Sequence, residues 1–186
     1  MKLHSKSVII LFISFYALAG CSVLRIGPIQ EYRDDFTGGR RYLLTEKAIP
    51  RERRTEIGNA TMTFEKRVSA EGAKSTIYFI IERSPDSFRS EKEGYIKVND
   101  TTWEVTLDDV SVESKFSGNI TEEGVLKETG IITRIDEKFR IELSQEIVDA
   151  ITLGRIMEIR IYFGPMPATY RIRGFALSRV SRLLSM

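Results

Sequence analysis

Apolar and polar side chains alternate along residues 157–163, which read MEIRIYF. Successive side chains of a β-strand point to opposite faces of its sheet, so a period of two is typical of a strand with one buried face. The same alternation appears in TMTFEKRV at residues 61–68 and in TYRIR at residues 169–173. Strands of this kind need a second layer against their apolar side. The chain is therefore predicted to be rich in antiparallel sheet.

Further segments add strands to this prediction. The run IYFII at residues 77–81 is apolar at every position, which is typical of a central strand covered on both faces. Residues 131–135 and 138–143 predict a hairpin that turns at Asp136-Glu137. The phase of the apolar positions shifts after Leu107, so a β-bulge is expected near Asp108-Asp109.

The pattern changes to helical spacing twice near the C-terminal end. Ser144 is a suitable N-cap for a short helix, Glu146 places a negative charge in its first turn, and Gly154 is a suitable end. Residues 175–185 repeat apolar side chains at the spacing of one helix face. Together these elements predict an α+β, β-rich fold. It consists of a mainly antiparallel sheet, single or sandwich-like, packed by two short helices near the C-terminus.

The start of the chain, MKLHSKSVIILFISFYALAGC, has a different organisation. Lys2 and Lys6 precede an uncharged, mostly apolar stretch at residues 8–19, and small residues follow it. The stretch is shorter than the ~20 apolar residues that a membrane-spanning helix requires. A basic start before a short apolar centre is typical of an export signal. Its last four residues, Leu18-Ala19-Gly20-Cys21, resemble the lipobox of bacterial lipoproteins. The resemblance covers residues 1–21 only.

The resemblance implies a lipid anchor on Cys21. In that family the cysteine thiol receives a diacylglyceryl group, the chain is cut just before the cysteine, and the new amine is often acylated. Residues 1–20 are then a removed signal peptide, residues 21–31 the lipidated cysteine and a tether, and residues 32–186 a single globular domain. Two or three acyl chains hold a protein stably on a bilayer, whereas one alone holds it marginally. The membrane is therefore the first expected partner.

The same resemblance favours a particular membrane. Ser22 occupies the position at which an Asp tends to retain Gram-negative members of the family in the inner membrane. We therefore expect a bacterial envelope protein, on the outer membrane and facing the periplasm if the source is Gram-negative.

Removal of residues 1–20 excludes several kinds of chemistry. It removes His4, the only histidine, and lipidation consumes the thiol of Cys21, the only cysteine. Ser-His-Asp and Cys-His catalysis and zinc sites with His or Cys ligands are thereby excluded. Lys2 and Lys6 account for two of the 28 basic side chains, so 26 basic and 26 acidic ones remain, which does not favour nucleic acid as a partner. We expect no catalytic residues, no cofactor and no metal, and we predict a binding or scaffolding protein rather than an enzyme.

The charges are unevenly distributed along the chain. Residues 100–149 carry 13 acidic and 5 basic side chains, whereas residues 155–186 carry six arginines and one acid. Either the two segments neutralise each other across neighbouring strands, or the arginines form a face for an anionic partner. Arg160, Arg171 and Arg173 are the candidates for that face, because the alternation places them on the polar side of two neighbouring strands. The partner would be an envelope protein or the cell wall.

A second function remains open, which is hydrolysis of cell-wall glycan by a pair of carboxylates. Neighbours on a strand point to opposite faces, which argues against adjacent pairs as catalytic groups. Trp103 is predicted to pack in the core rather than to stack on a sugar. The helix at residues 175–185 is predicted to dock on the sheet rather than on the membrane. The adjacent carboxylates are Asp34-Asp35, Asp108-Asp109, Glu122-Glu123 and Asp136-Glu137.

Overall fold

The computed structural model describes residues 27–52, 55–117 and 131–186. Most of these residues lie in ten strands and two helices. The strands are β1 (Gln30–Arg33), β2 (Arg40–Ala48), β3 (Ile57–Ser69), β4 (Gly72–Arg83), β5 (Ser90–Val98), β6 (Thr101–Thr106), β7 (Asp108–Ser117), β8 (Ile131–Leu143), β9 (Ile156–Phe163) and β10 (Met166–Arg173). The helices are α1 (Gln145–Leu153) and α2 (Gly174–Ser185). β1 begins inside the stretch that the sequence assigns to the tether.

The strands form two antiparallel sheets. One sheet has six strands in the order β1-β2-β3-β4-β8-β7, and the other has four in the order β10-β9-β5-β6. The inner faces of both sheets contribute to one hydrophobic core. The predicted α+β, β-rich class is confirmed, and the sheet is folded into a sandwich of two layers.

The predicted bulge lies where the chain passes from one sheet to the other. Leu107 separates β6 from β7, and its side chain is buried in the core. The pairing of β7 with β8 then shifts register between Asp109 and Ser111. A bulge bends and twists its strand, so the irregularity belongs to the point at which the chain changes layers.

The run IYFII lies in β4, at the centre of the six-stranded sheet, but only one of its faces is covered. Ile77, Phe79 and Ile81 point into the core and are buried. Ile80 on the other face is 38% exposed. The prediction of a strand covered on both faces is therefore wrong at Ile80, because both helices pack elsewhere and no other element of the described residues covers this side of the sheet.

The predicted hairpin at Asp136-Glu137 is also wrong, since β8 runs without a break from Ile131 to Leu143. Both carboxylates find a cation within the sheet. Lys115 Nζ lies 2.8 Å from Asp136 on the outer face, and Arg83 Nε lies 2.5 Å from Glu137 on the inner face. Two acidic residues that normally mark a turn are thereby accommodated inside a strand.

A buried network around the Arg83–Glu137 ion pair links the two layers. Its side chains are only 4% and 2% exposed. The second carboxylate oxygen of Glu137 accepts hydrogen bonds from the Ser90 N–H and hydroxyl at 3.0 and 2.5 Å. Arg83 Nη1 also donates to the Ser87 carbonyl at 3.1 Å. Because Ser90 opens β5, this network fixes the start of that strand against the six-stranded sheet.

Both predicted helices are confirmed. The Ser144 hydroxyl accepts the N–H of Ile147 at 3.4 Å and caps α1. Gly154 ends α1 in an extended conformation rather than a left-handed one. Its role is steric, since a Cβ there would meet Val98 Cγ1 at 2.5 Å.

Helix α2 packs against both sheets with its apolar stripe. The stripe consists of Leu177, Val180, Leu183 and Leu184, all buried. It contacts β2 and β3 of one sheet and β9 and β10 of the other. The helix docks on the sheet as its pattern predicts, and it also closes the gap between the two layers.

Candidate functional site

The three candidate arginines lie on the outer face of the four-stranded sheet. In the pairing of β9 with β10, Arg160 is opposite Thr169, Arg171 is opposite Glu158, and Arg173 is opposite Ile156. The inward positions of both strands are buried in the core, so the arginines point away from it. All three arginines lie on the same face of the sheet, but the side chains that they contact differ.

The neighbouring strand β5 extends this face with two more side chains. Tyr95 is opposite Arg160, and Lys97 is opposite Glu158. Thr102 on β6 follows next to Lys97. These strands surround a shallow depression of about 480 Å³. We call it the basic face, and define it by the residues that line it: Arg51, Tyr95, Lys97, Thr102, Glu158, Arg160, Tyr162 and Thr169.

Glu158 occupies the centre of the basic face and is held by two arginines. Arg171 approaches one of its oxygens with Nε at 2.7 Å and Nη2 at 2.6 Å, and Arg51 Nη1 lies 3.0 Å from the same oxygen. Partial burial raises the pKa of Glu158, but the hydrogen bond and charge of Arg171 and the charges of Arg51 and Lys97 outweigh it and lower the pKa below its ordinary value. The carboxylate is therefore ionised, and it neutralises part of the surrounding positive charge.

Arg51 reaches this face because its loop is attached to β10. Pro50 forms a β-bridge with Tyr170, and the Arg51 N–H donates to the Thr169 carbonyl at 2.9 Å. The Thr169 N–H in turn donates to Glu52 at 2.7 Å. Burial raises the pKa of Glu52, but the hydrogen bond from Thr169 and the charge of Arg160 contribute to a net lowering. The loop before β3 is thus part of the site.

Arg160 and Lys97 differ from Arg171 in having no ion-pair partner among the residues that the structure describes. Arg160 Nε donates to the Thr169 hydroxyl at 3.1 Å, which orients the guanidinium. Within the described ranges, neither side chain has a carboxylate oxygen closer than 4.0 Å. Both are exposed. They are the two cations of the basic face that remain available to a ligand.

Two tyrosines form one wall of the depression. The rings of Tyr95 and Tyr162 meet edge to face, with centroids 6.2 Å apart and planes at 83°. Both side chains are half-buried. A pair in this arrangement offers an apolar ring surface and polar hydroxyls beside the two cations.

Arg173 lies outside the depression. It follows Thr169 by four residues on β10, which corresponds to roughly 13 Å along a strand. It is exposed and is the N-cap residue of α2. Of the three candidate arginines, the structure therefore places Arg160 in the depression, Arg171 on Glu158, and Arg173 at the edge of the same face.

The sequence does not identify Tyr95, Lys97 or Arg51 as members of this face. Tyr95 and Lys97 alternate with the buried Ile96 and Val98, so their outward direction could have been predicted. The pairing of β5 with β9 joins residues some sixty positions apart, and no local signal indicates it. Arg51 carries no periodic signal because it lies in a loop.

Among the described residues, no acid of residues 100–149 pairs with an arginine of residues 155–186. The ion pairs that this segment does form lie within the six-stranded sheet, for example Arg140 with Asp108 at 3.1 Å. In the described part of the chain, Glu158 and Glu46 are the acids that pair with arginines of residues 155–186. Glu158 therefore neutralises part of the positive charge of the C-terminal strands. Arg160 has no such neutralising acid among the described residues.

At least one carboxylate in each described pair considered for glycan hydrolysis has another role. Asp34 accepts the Phe36 N–H at 3.0 Å in the β1–β2 turn. Asp108 pairs with Arg140, and Asp136 and Glu137 hold the cations described above. Glu122-Glu123 lies outside the described residues. No observation favours the hydrolase alternative.

Trp103 packs against the core, as predicted, and is half-buried. Its indole N–H donates to Glu146 in the first turn of α1 at 3.0 Å. The side chain therefore ties β6 to α1 and does not contribute to the basic face.

The described residues contain neither a cluster of potential metal ligands nor a helix able to span a membrane. No three Asp, Glu, His or Cys side chains of residues 27–52, 55–117 and 131–186 converge as metal ligands would. None of the helices in these ranges combines the length and the hydropathy that a membrane span requires. Cys21 lies outside these ranges.

Comparison with known proteins gives little more than a distant structural likeness. No family model matches the chain, and no curated protein matches its sequence. Among solved structures, the chain is similar to the crystal structure of invasion associated protein B from Bartonella henselae. The identity is 11% and the TM-score 0.39, over 86% of this chain and all of that one. A likeness at this level carries no argument about function.

Proposed function

We propose that this chain is a lipid-anchored binding module of the bacterial cell envelope, which captures an anionic partner on its basic face. The anchor is supported by the basic, apolar and small-residue regions that lead to Leu18-Ala19-Gly20-Cys21. If the source is Gram-negative, Ser22 favours the outer membrane, on its periplasmic side.

The observation that carries the binding role is the pair of unpartnered cations beside two tyrosines. Arg160 is oriented by Thr169, and Lys97 lies on the next strand. Holding an exposed cation in one orientation ordinarily adds little to the stability of a fold. Here a fixed guanidinium, a second cation and an aromatic wall converge on one depression, and that combination suits an anion attached to an apolar or sugar framework.

The chemistry of the ligand follows from these groups. A guanidinium and an ammonium bind carboxylate or phosphate, and both occur in cell walls and on lipid headgroups. Glu158 restricts the choice, because its fixed negative charge repels a ligand with dense charge. We therefore expect a ligand that presents one or two anionic groups at a time.

Sedimentation with purified peptidoglycan sacculi, and separately with phosphatidylglycerol vesicles, tests this proposal. The test variant is Lys97→Gln with Arg160→Gln in the chain that the proposed processing leaves, residues 21–186. The matched control is Lys74→Gln with Arg89→Gln, which removes the same charges from exposed positions elsewhere. To keep the lipid anchor from dominating, both variants and the parent also carry Cys21→Ala, and residues 1–20 are omitted because their apolar stretch would itself bind vesicles.

The proposal expects the test variant to lose about tenfold in affinity for one of the two probes, which corresponds to roughly 1.4 kcal/mol. The control is expected to retain the parent's affinity within about twofold. Sacculi as the responding probe identify carboxylates of the wall, and vesicles identify lipid phosphate. Equal binding by test and control variants to both probes contradicts the binding role of the basic face.

A further inference from the structure

The first described residues meet the outer side of helix α2. The Gly27 carbonyl accepts a hydrogen bond from Arg179 Nη2. Arg179 Nη1 also lies 3.0 Å from Glu46 on β2, and its guanidinium lies 6.0 Å from the ring centroid of Phe175. One side chain therefore joins the entry of the chain, the helix and the six-stranded sheet.

The outer side of α2 presents apolar and basic side chains next to this entry point. Phe175, Arg179, Arg182 and Met186 follow one another at helical spacing and, with Pro28 and Ile29, line a depression of about 490 Å³. Phe175 is 68% exposed and Met186 is 48% exposed. These six residues are called the entry surface here.

The buried stripe of α2 does not explain the exposure of Phe175, Arg182 and Met186. That stripe already docks the helix on both sheets. Large apolar side chains grouped on a surface with basic residues at their rim commonly contact a partner or a membrane. Arg182 is exposed, and a long basic side chain can reach headgroup phosphates while a neighbouring ring enters the apolar region.

The short length of chain between Cys21 and Gly27 indicates the bilayer as the partner of the entry surface. Gly27 follows Cys21 by six positions, and six extended residues span at most about 20 Å. If Cys21 is held in a bilayer, Gly27 lies within about 20 Å of that bilayer. The entry surface is the part of the described fold that lies next to Gly27. We propose that the entry surface rests on the bilayer to which Cys21 is attached, so that the domain has one preferred orientation on the membrane. This inference rests on the proposed anchor.

Fluorescence quenching on vesicles tests the orientation. Phe175→Trp is compared with Phe88→Trp, both in a Trp103→Phe background, so that each protein has a single tryptophan. Phe88 is a matched control because it is 58% exposed and its ring packs against Gly164. Phe88 therefore lies near the start of β10, whereas Phe175 lies in α2, just after the end of β10. This eight-residue strand separates the two positions by roughly 26 Å.

The attachment is made chemically, so that the result does not depend on natural acylation. Cys21 is the only cysteine, and the full chain, produced without acylation, is coupled through it to maleimide lipid. The vesicles contain phosphatidylethanolamine and phosphatidylglycerol with bromine in their acyl chains. Circular dichroism checks that both variants are folded.

The inference expects bromine to quench tryptophan at position 175 at least about twofold more strongly than at position 88, because interfacial side chains reach the acyl boundary. Equal quenching at both positions overturns it. A blue-shifted emission at position 175 without vesicles, insensitive to bromine, overturns it as well and identifies another cover. That cover is residues 1–26 if the shift is independent of protein concentration, and a second copy if the shift grows with it. If the proposed anchor itself is wrong, the protein purified from its natural source is unacylated at Cys21. That result is distinct from the quenching results.

Discussion

Replacement of Glu158 by Gln is expected to weaken the fold and to strengthen anion binding at the same time. The change keeps the size of the side chain and removes the one negative charge at the centre of the basic face. Glu158 contacts Arg171 and Arg51, whose side chains are 31% and 51% exposed. Ion pairs of this exposure contribute about 0.2–1 kcal/mol each. We therefore expect the free energy of unfolding to fall by about 1 kcal/mol near pH 7.

The loss has a defined pH dependence. The pKa of Glu158 is lowered in the folded protein, so its contribution to stability is fully present above the ordinary carboxyl pKa. It disappears as the pH falls through the lowered folded value, where the carboxylate becomes protonated. The difference between parent and Glu158→Gln in urea unfolding should therefore be largest at neutral pH and vanish in strong acid.

Anion binding should change in the opposite direction. Removal of a negative charge roughly 6 Å from a bound anion relieves on the order of 1 kcal/mol of repulsion, which is about fivefold in affinity. The assay is the sedimentation with sacculi and vesicles described above. Glu142→Gln is the control, because Glu142 is an exposed acid of the six-stranded sheet. Lower anion affinity for Glu158→Gln, or unchanged stability at neutral pH, would refute this account of the basic face.

Three further predictions concern the fold. Glu137→Gln leaves Arg83 buried without its carboxylate and should reduce the free energy of unfolding in urea by about 3 kcal/mol; a loss under about 1 kcal/mol would show that the pair is not buried as described. Gly154→Ala should lower the stability by about 1–3 kcal/mol through its contact with Val98, and a melting temperature equal to that of the parent would contradict the steric role. Ser144→Ala should cost roughly 1 kcal/mol in urea unfolding, because it removes the N-cap of α1, and no loss would mean that the hydroxyl does not cap the helix.

The local patterns of the sequence predict the elements of this fold well. Alternation along residues 157–163 and 169–173 identifies β9 and β10 and the outward direction of Arg160, Arg171 and Arg173. Ser144 identifies the start of α1. These features depend on neighbours in the chain, and physical rules for strands and caps act at that range.

Features that depend on distant partners could not be predicted in the same way. Asp136-Glu137 resembles a turn until Lys115 and Arg83 supply cations inside the sheet. Ile80 resembles a buried residue, although no described element covers it. The composition of the basic face depends on the register of β5 with β9 and on a bridge at Pro50. Long-range pairing of this kind leaves no periodic signal.

The anchor at Cys21 is the central claim, because the envelope location and the orientation on the membrane both depend on it. The most direct test is the intact mass of the protein purified from the membranes of its own source. The account predicts a chain that starts at Cys21 and carries a diacylglyceryl thioether, with or without a further acyl group on the amine. A chain that still contains residues 1–20, or that starts near Cys21 with an unmodified thiol, would contradict it.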